Sequence, residues 1–220
     1  LEFHASHTNK WGISGIGAEI GFMGIRSNNL GSRQRGVASI FAEHRFLLFD
    51  ENLDITPGIS FYHYSDFGSR VFPGLDIGYR LGPQFKLFAN AGYTFRVPTY
   101  TDLYYEDPAN LGNPDLQPEE AFSWEVGIKG NATIWQWQAS WFVRDAFNLI
   151  DWTRASENQQ WKPDNLARLY TNGLDLSTQF NFSGQRLYLA YTYIHAQLGA
   201  QESGFSRYAL ENLKHQLILG

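Results

Sequence analysis

The chain has 220 residues, no cysteine, 18% charged residues and a net charge of −5. Disulfides and thiolate metal sites are excluded, and without a basic run nucleic acid is not an expected partner. No stretch approaches 18 consecutive apolar residues, which removes a transmembrane helix but not transmembrane strands, whose faces alternate. Aromatic residues reach 16%, with 21 glycines, as suits a β protein with many turns and an aromatic-rich surface.

In chain order, about eleven strands are expected, near 1–8, 12–26, 36–48, 54–65, 71–81, 84–96, 121–130, 133–150, 168–182, 186–197 and 209–220. The period is two. Phe85, Leu87, Ala89, Ala91 and Tyr93 oppose Lys86, Asn90, Thr94 and Arg96. In Phe122–Lys129 every even position is apolar. Trp135, Trp137, Ala139, Trp141 and Val143 oppose Gln136, Gln138, Ser140 and Arg144, with Phe142 the exception. Leu174, Leu176, Phe180 and Phe182 oppose Asp175, Ser177, Gln179 and Asn181. Several segments exceed the usual five or six residues of a soluble strand.

The connections alternate in length. Phe49–Leu53, Arg80–Gln84, Gly130–Asn131 and Ser183–Gln185 read as short. Arg26–Arg35, Asp66–Arg70, Val97–Ala121, Asp151–Ala167 and Gln197–Tyr208 read as longer. Short turns on one side and long loops on the other are the habit of outer-membrane barrels. The expected fold class is therefore all-β, part of a transmembrane antiparallel up-and-down barrel, with Val97–Ala121 outside the cell. A soluble β-sandwich that binds carbohydrate is the alternative, and a passive porin is a nearer rival.

The longest connection, Val97–Ala121, lies within the stretch Phe95–Glu125, FRVPTYTDLYYEDPANLGNPDLQPEEAFSWE. Pro98, Pro108, Pro114 and Pro118 cannot donate to a ladder, so the sheet must stop at Val97. Gly112-Asn113-Pro114 is turn chemistry. The run Arg96-Val97-Pro98, then Asp102-Leu103-Tyr104, then Gly112-Asn113-Pro114-Asp115-Leu116-Gln117-Pro118-Glu119, then Glu125-Val126-Gly127 resembles the C-terminal barrel region of TonB-dependent outer-membrane receptors. Phe147–Trp152 and Tyr170–Asp175 are similar to segments that follow in that family. The nearest likeness is to the vitamin B12 and siderophore receptor branch.

The resemblance implies a fragment, residues 1–220, of a twenty-two-stranded barrel domain in the bacterial outer membrane, without its plug domain. It implies active uptake of a scarce metal chelate (cobalamin, ferric siderophore or haem) and no enzyme activity. The implied partners are outer-membrane lipid, the plug and remaining strands, the TonB energy-coupling protein and the chelate. Arg96, Pro98, Gly112, Asn113, Pro114, Leu116, Pro118, Glu119, Glu125 and Gly127 are read as structural. Ligand contact is placed at loop tips, on Tyr100, Tyr104, Tyr105, Trp152 and Trp161, where rim packing is an equal reading. No cofactor motif or metal set is evident: His4 and His7 lack a third ligand, and Asp102–Asp115 lacks calcium-loop spacing. For a hydrolase, Ser206 and His195 are the only pair to consider.

Overall fold

Alternation with a period of two leaves each strand one apolar and one polar face, and the chain satisfies both by building one sheet. The computed structural model describes residues 1–199, 205–207 and 213–220. Its strands are β1 (Glu2–Asn9), β2 (Gly12–Ser27), β3 (Gly31–Leu48), β4 (Leu53–Tyr64), β5 (Gly68–Arg80) and β6 (Phe85–Arg96). A short helix, α1 (Tyr100–Tyr104), and the small hairpin β7 (Glu106–Asp107) and β8 (Asn110–Leu111) follow. Then come β9 (Glu119–Asn131), β10 (Trp135–Arg154), β11 (Lys162–Phe182), β12 (Gln185–Leu198), β13 (Phe205–Ser206) and β14 (His215–Leu219).

The main sheet runs β1-β2-β3-β4-β5-β6-β9-β10-β11-β12-β14, all antiparallel neighbours, with β13 beside β10. These eleven long strands are the eleven expected segments. Of the last segment, residues 209–212 lie outside the described residues. The sheet does not close. Among the described residues no second sheet packs across it, so the sandwich reading fails.

Directly opposed residues share a face. One lateral row runs Ile55, Ile77, Ala89, Val126, Trp141, Leu174 and Tyr193 across seven strands. The next runs Thr56, Asp76, Asn90, Glu125, Phe142 and Gly173 on the opposite face. Val126, Trp141 and Leu174 are 46, 43 and 46% exposed. The apolar face thus has no protein core beneath it, a condition that suits hydrocarbon and not water.

The exception at Phe142 has a steric cause. Its ring lies over Gly173, where an added Cβ would come within 2.5 Å of it. Phe88 covers Gly127 in the same way, and Phe41 covers Gly17. Large rings on the polar face fill the space above glycines on the neighbouring strand.

At one end the connections are the turns 10–11, 49–52, 81–84, 132–134 and 183–184. Ser183 and Gly184 have φ of 48° and 74°, as a two-residue hairpin of the primed type requires. At the other end lie 28–30, 65–67, 97–118, 155–161 and the β12–β14 connection. Three expectations change here. Arg26–Arg35 and Asp66–Arg70 are strand ends closed by turns at 28–30 and 65–67, because Gly31 and Gly68, both at φ 70°, let the chain reverse at once. Asp151–Ala167 likewise narrows to 155–161, since β10 and β11 keep pairing as far as Thr153↔Lys162.

If the apolar face meets lipid, Val126→Arg costs about 2–4 kcal/mol of folded stability in a bilayer, while Gln138→Arg on the polar face is nearly neutral. Urea midpoints in lipid vesicles check the difference.

Candidate ligand-binding rim

The long connection 97–118 is a packed lid. Pro98 stops the ladder, and Thr99 caps α1: its hydroxyl accepts from the Asp102 amide, while the Asp102 carboxylate accepts from the Thr99 amide at 3.0 Å and hydroxyl at 2.7 Å. Asp102 is 8% exposed and also accepts from the Trp152 indole at 3.3 Å. The chain then returns through Gly112. A Cβ there would lie 2.7 Å from the Tyr104 amide nitrogen, so only glycine allows this approach. Asn113 donates from its amide to the Asp102 carbonyl and from its side chain to the Pro163 carbonyl. Leu116 packs with Leu103 and Ile150 in a small apolar core, flanked by Phe67 and Tyr104.

A charged clamp ties this lid to the sheet. Arg96 at the end of β6 donates to both Glu119 oxygens, at 2.8 and 2.7 Å. Glu119 opens β9 and also accepts from the Ile150 amide of β10 at 2.7 Å. Arg96 lies 3.7 Å from Asp102 as well. One carboxylate thus holds three strands and, through Arg96, the helix cap. Deeper, Glu125 accepts from Asn90. Arg96, Pro98, Gly112, Asn113, Leu116, Glu119, Glu125 and Gly127 all sit where they shape or fasten the wall. Pro114 is exposed, and Pro118 is buried at the entry to β9.

The aromatic candidates sit in different surroundings. Tyr100 donates its hydroxyl to the Met23 carbonyl and is faced by Arg35 at 5.1 Å. Tyr104 is half-buried under Arg33, at 3.9 Å. The Tyr105 phenol donates to Asp107. Trp152 is 9% exposed and lies inside the lid. Trp161 is half-buried, with Arg154 at 4.5 Å and Arg207 at 5.6 Å over its ring. Three of the five are therefore faced by arginines. Arg35, itself 4% exposed, pairs with Asp66 and donates to the Pro98 carbonyl. These arginines were not singled out from the sequence. The available signal was Arg33 and Arg35, two apart and therefore on one face of a strand end.

The rim also carries a titrating turn. Hydrogen bonds from the Asn110 side chain, and then from the Ala109 amide, the Tyr105 phenol and the Asn110 amide, hold the Asp107 carboxyl below its ordinary range. The same contact pushes the Tyr105 phenol up. The suggested hydrolase pair does not meet: Ser206 donates to Asp151 beside β10, whereas His195 lies on β12, with β11 between. Among the described residues no cluster of three or more His, Asp or Glu is placed to hold a metal.

A single antiparallel sheet, apolar on one face and polar on the other, with tight turns at one end and a packed lid at the other, is a section of the wall of a transmembrane up-and-down β-barrel. The family model described as TonB dependent receptor-like, beta-barrel matches residues 4–220, and the chain belongs to that family. It is 30% identical over 128 residues to the vitamin B12 transporter BtuB of Photobacterium profundum, covering 56% of this chain and 20% of that protein. It is 27% identical over 165 residues to the ferrienterobactin receptor of Escherichia coli, covering 63% and 21%. The siderophore receptor PirA from Pseudomonas aeruginosa superposes with a TM-score of 0.78 at 19% identity, over 90% of this chain and 39% of that one. The FrpB iron transporter from Neisseria meningitidis gives 0.70 at 10% identity, over 90% and 35%. At such identities the structural likeness is one of fold. The chain spans about a fifth of the length of the curated relatives it matches.

Glu119→Gln breaks the two-pronged charge pair, worth about 1.5–3 kcal/mol for a charged hydrogen bond lost. The Ile150 amide is expected to exchange hydrogen at least tenfold faster, with exchange at Val143 unchanged. The Asp107 turn gives a second prediction. A lowered folded-state pKa means the turn's stabilisation is complete above the ordinary carboxylate value near 3.9 and is lost as pH falls through the lowered one. Amide protection at Ala109 and Asn110, measured against an unfolded peptide, is expected to hold at neutral pH and vanish at strongly acid pH. In Asp107→Ala it is absent throughout.

Proposed function

We propose that the chain is part of the barrel domain of an active transporter in the bacterial outer membrane, and that its cargo is a scarce metal chelate: cobalamin, a ferric siderophore or haem. The observation that carries this reading is the rim of arginines stacked on tyrosine and tryptophan beside a lid with its own core. Such a surface offers flat faces and positive charge to a bulky, often anionic chelate. Relatives named as a vitamin B12 transporter and a ferrienterobactin receptor support the same class. Tyr100, Tyr104, Tyr105 and Trp161 are the proposed contacts. Trp152 serves them from beneath by ordering Asp102 and α1.

The remaining partners follow from the physics of the sheet. Among the described residues β1 and β14 each have one neighbour, and an open edge does not persist in hydrocarbon. Further barrel strands of the same protein would pair them. In this reading all 220 residues are barrel, the polar face lines a lumen filled by a plug domain, and energy comes from the TonB protein through that plug. The chemistry is capture and passage, with no covalent step. A passive pore is less well supported, since the loop 97–118 is folded on a core of its own and fastened at Glu119, Asp102 and Asn113.

Binding of cyanocobalamin, a ferric catecholate siderophore and haemin to the whole protein, followed by intrinsic fluorescence, tests the reading. One of the three is expected to bind, with affinity reduced about tenfold by Tyr104→Ala or by Arg33→Ala. Failure of all three to bind would reject the metal-chelate class.

A further inference from the structure

A cavity of about 520 Å³ opens on the polar face below the lid. Tyr62, Tyr64, Phe72 and Phe95 form one wall. Phe95 stacks on Phe72 at 4.8 Å and meets Tyr62 and Tyr64 edge-on at 5.4 Å. The opposite rim holds two carboxylates, Asp76 and Glu43. Between them the floor is bare backbone, because Gly58, Gly74 and Gly92 stand side by side on β4, β5 and β6.

These glycines differ from those under Phe88 and Phe142. A Cβ at Gly58, Gly74 or Gly92 would meet nothing nearer than 3.6 Å, so no packing within the described residues requires them. Their effect is to keep the floor clear between ring and carboxylate. Phe72 and Asp76 flank Gly74 on one face of β5, about 14 Å apart along the strand from Cα to Cα. Above Gly74↔Gly92 the β5–β6 ladder ends, and Phe95 fills that space. Among the described residues neither Asp76 nor Glu43 has a lysine or arginine within salt-bridge reach, although Asp54 nearby is doubly paired, with Lys86 and Arg45.

We propose that this cavity binds an organic cation, a guanidinium or alkylammonium group, seated on the glycine floor between the aromatic wall and Asp76 and Glu43. The rings supply a negative face to the cation and the carboxylates supply its counter-charge. The group could be carried by a free solute in the lumen or by a basic side chain of the protein outside these residues, and the chemistry is the same. This goes beyond the chelate reading and does not depend on which chelate the rim takes.

These 220 residues hold no cysteine, so a cysteine placed among them is their single thiol, and the whole protein without it is the blank. Gly74→Cys places one thiol on the floor, where there is room for it, and Ser177→Cys serves as a control elsewhere on the polar face. The whole protein is treated with a cationic and an anionic methanethiosulfonate of equal size. For an open site, the thiol at position 74 reacts about tenfold faster with the cationic reagent, and Asp76→Asn with Glu43→Gln abolishes the preference. For a site filled by the protein's own basic side chain, neither reagent reacts at 74 while both react at 177, and the same double substitution exposes the thiol. Equal rates at 74 with both reagents, or shielding that survives loss of both carboxylates, would overturn the proposal.

Discussion

A backbone amide in hydrocarbon has no water to turn to, so every N–H and C=O that crosses a bilayer must find a partner in the protein. Nearly everything in this chain follows from that demand. Strands joined by two- to four-residue turns can pair only with their chain neighbours, and here, the short β7, β8 and β13 apart, the neighbours in space follow the order of the sequence. Once the backbone is paired, the side chains have two masters. Ile55, Ile77, Ala89, Val126, Trp141, Leu174 and Tyr193 form a row that needs lipid. Asp76, Asn90 and Glu125, one step along, need water or polar company. Among the described residues no buried apolar core unites the sheet; most of the buried apolar residues sit in or just beneath the lid.

That division explains what the sequence reveals. Where one face touches lipid, alternation is strict and strands are legible almost to the residue, as at Phe85–Arg96. Where strands rise past the bilayer, both faces become polar and the pattern disappears. Arg33 and Arg35 therefore read as loop although they lie in β3, and Thr153 reads as loop although it pairs with Lys162. Phe142 breaks the pattern for a reason that lies on another strand, at Gly173, and no single-strand reading could supply it.

The rim was legible in part. Prolines and Gly112-Asn113-Pro114 announce a shaped loop, and Arg96 and Glu119, both read as structural, meet in a two-pronged pair. The arginine partners were not legible. Arg33 meets Tyr104 and Arg35 meets Asp66 and Pro98 across connections that only the folded sheet brings together. Trp152, for which ligand contact and rim packing were equal readings, is buried because β10 runs on and carries it to Asp102 of α1.

The lid is held by two kinds of force, and the difference matters for what it can do. The contact of Leu103, Leu116 and Ile150 is non-directional and tolerates small shifts. The contacts of Glu119 with Arg96 and the Ile150 amide are directional, and they fix the register of three strands at the point where the lid leaves the sheet. A ligand pressing on Tyr104 would therefore load the apolar peg first, since Tyr104 packs against it, while the clamp keeps the strand ends in place. The register of the strand ends thus rests on directional bonds, and the interior of the lid on apolar contact.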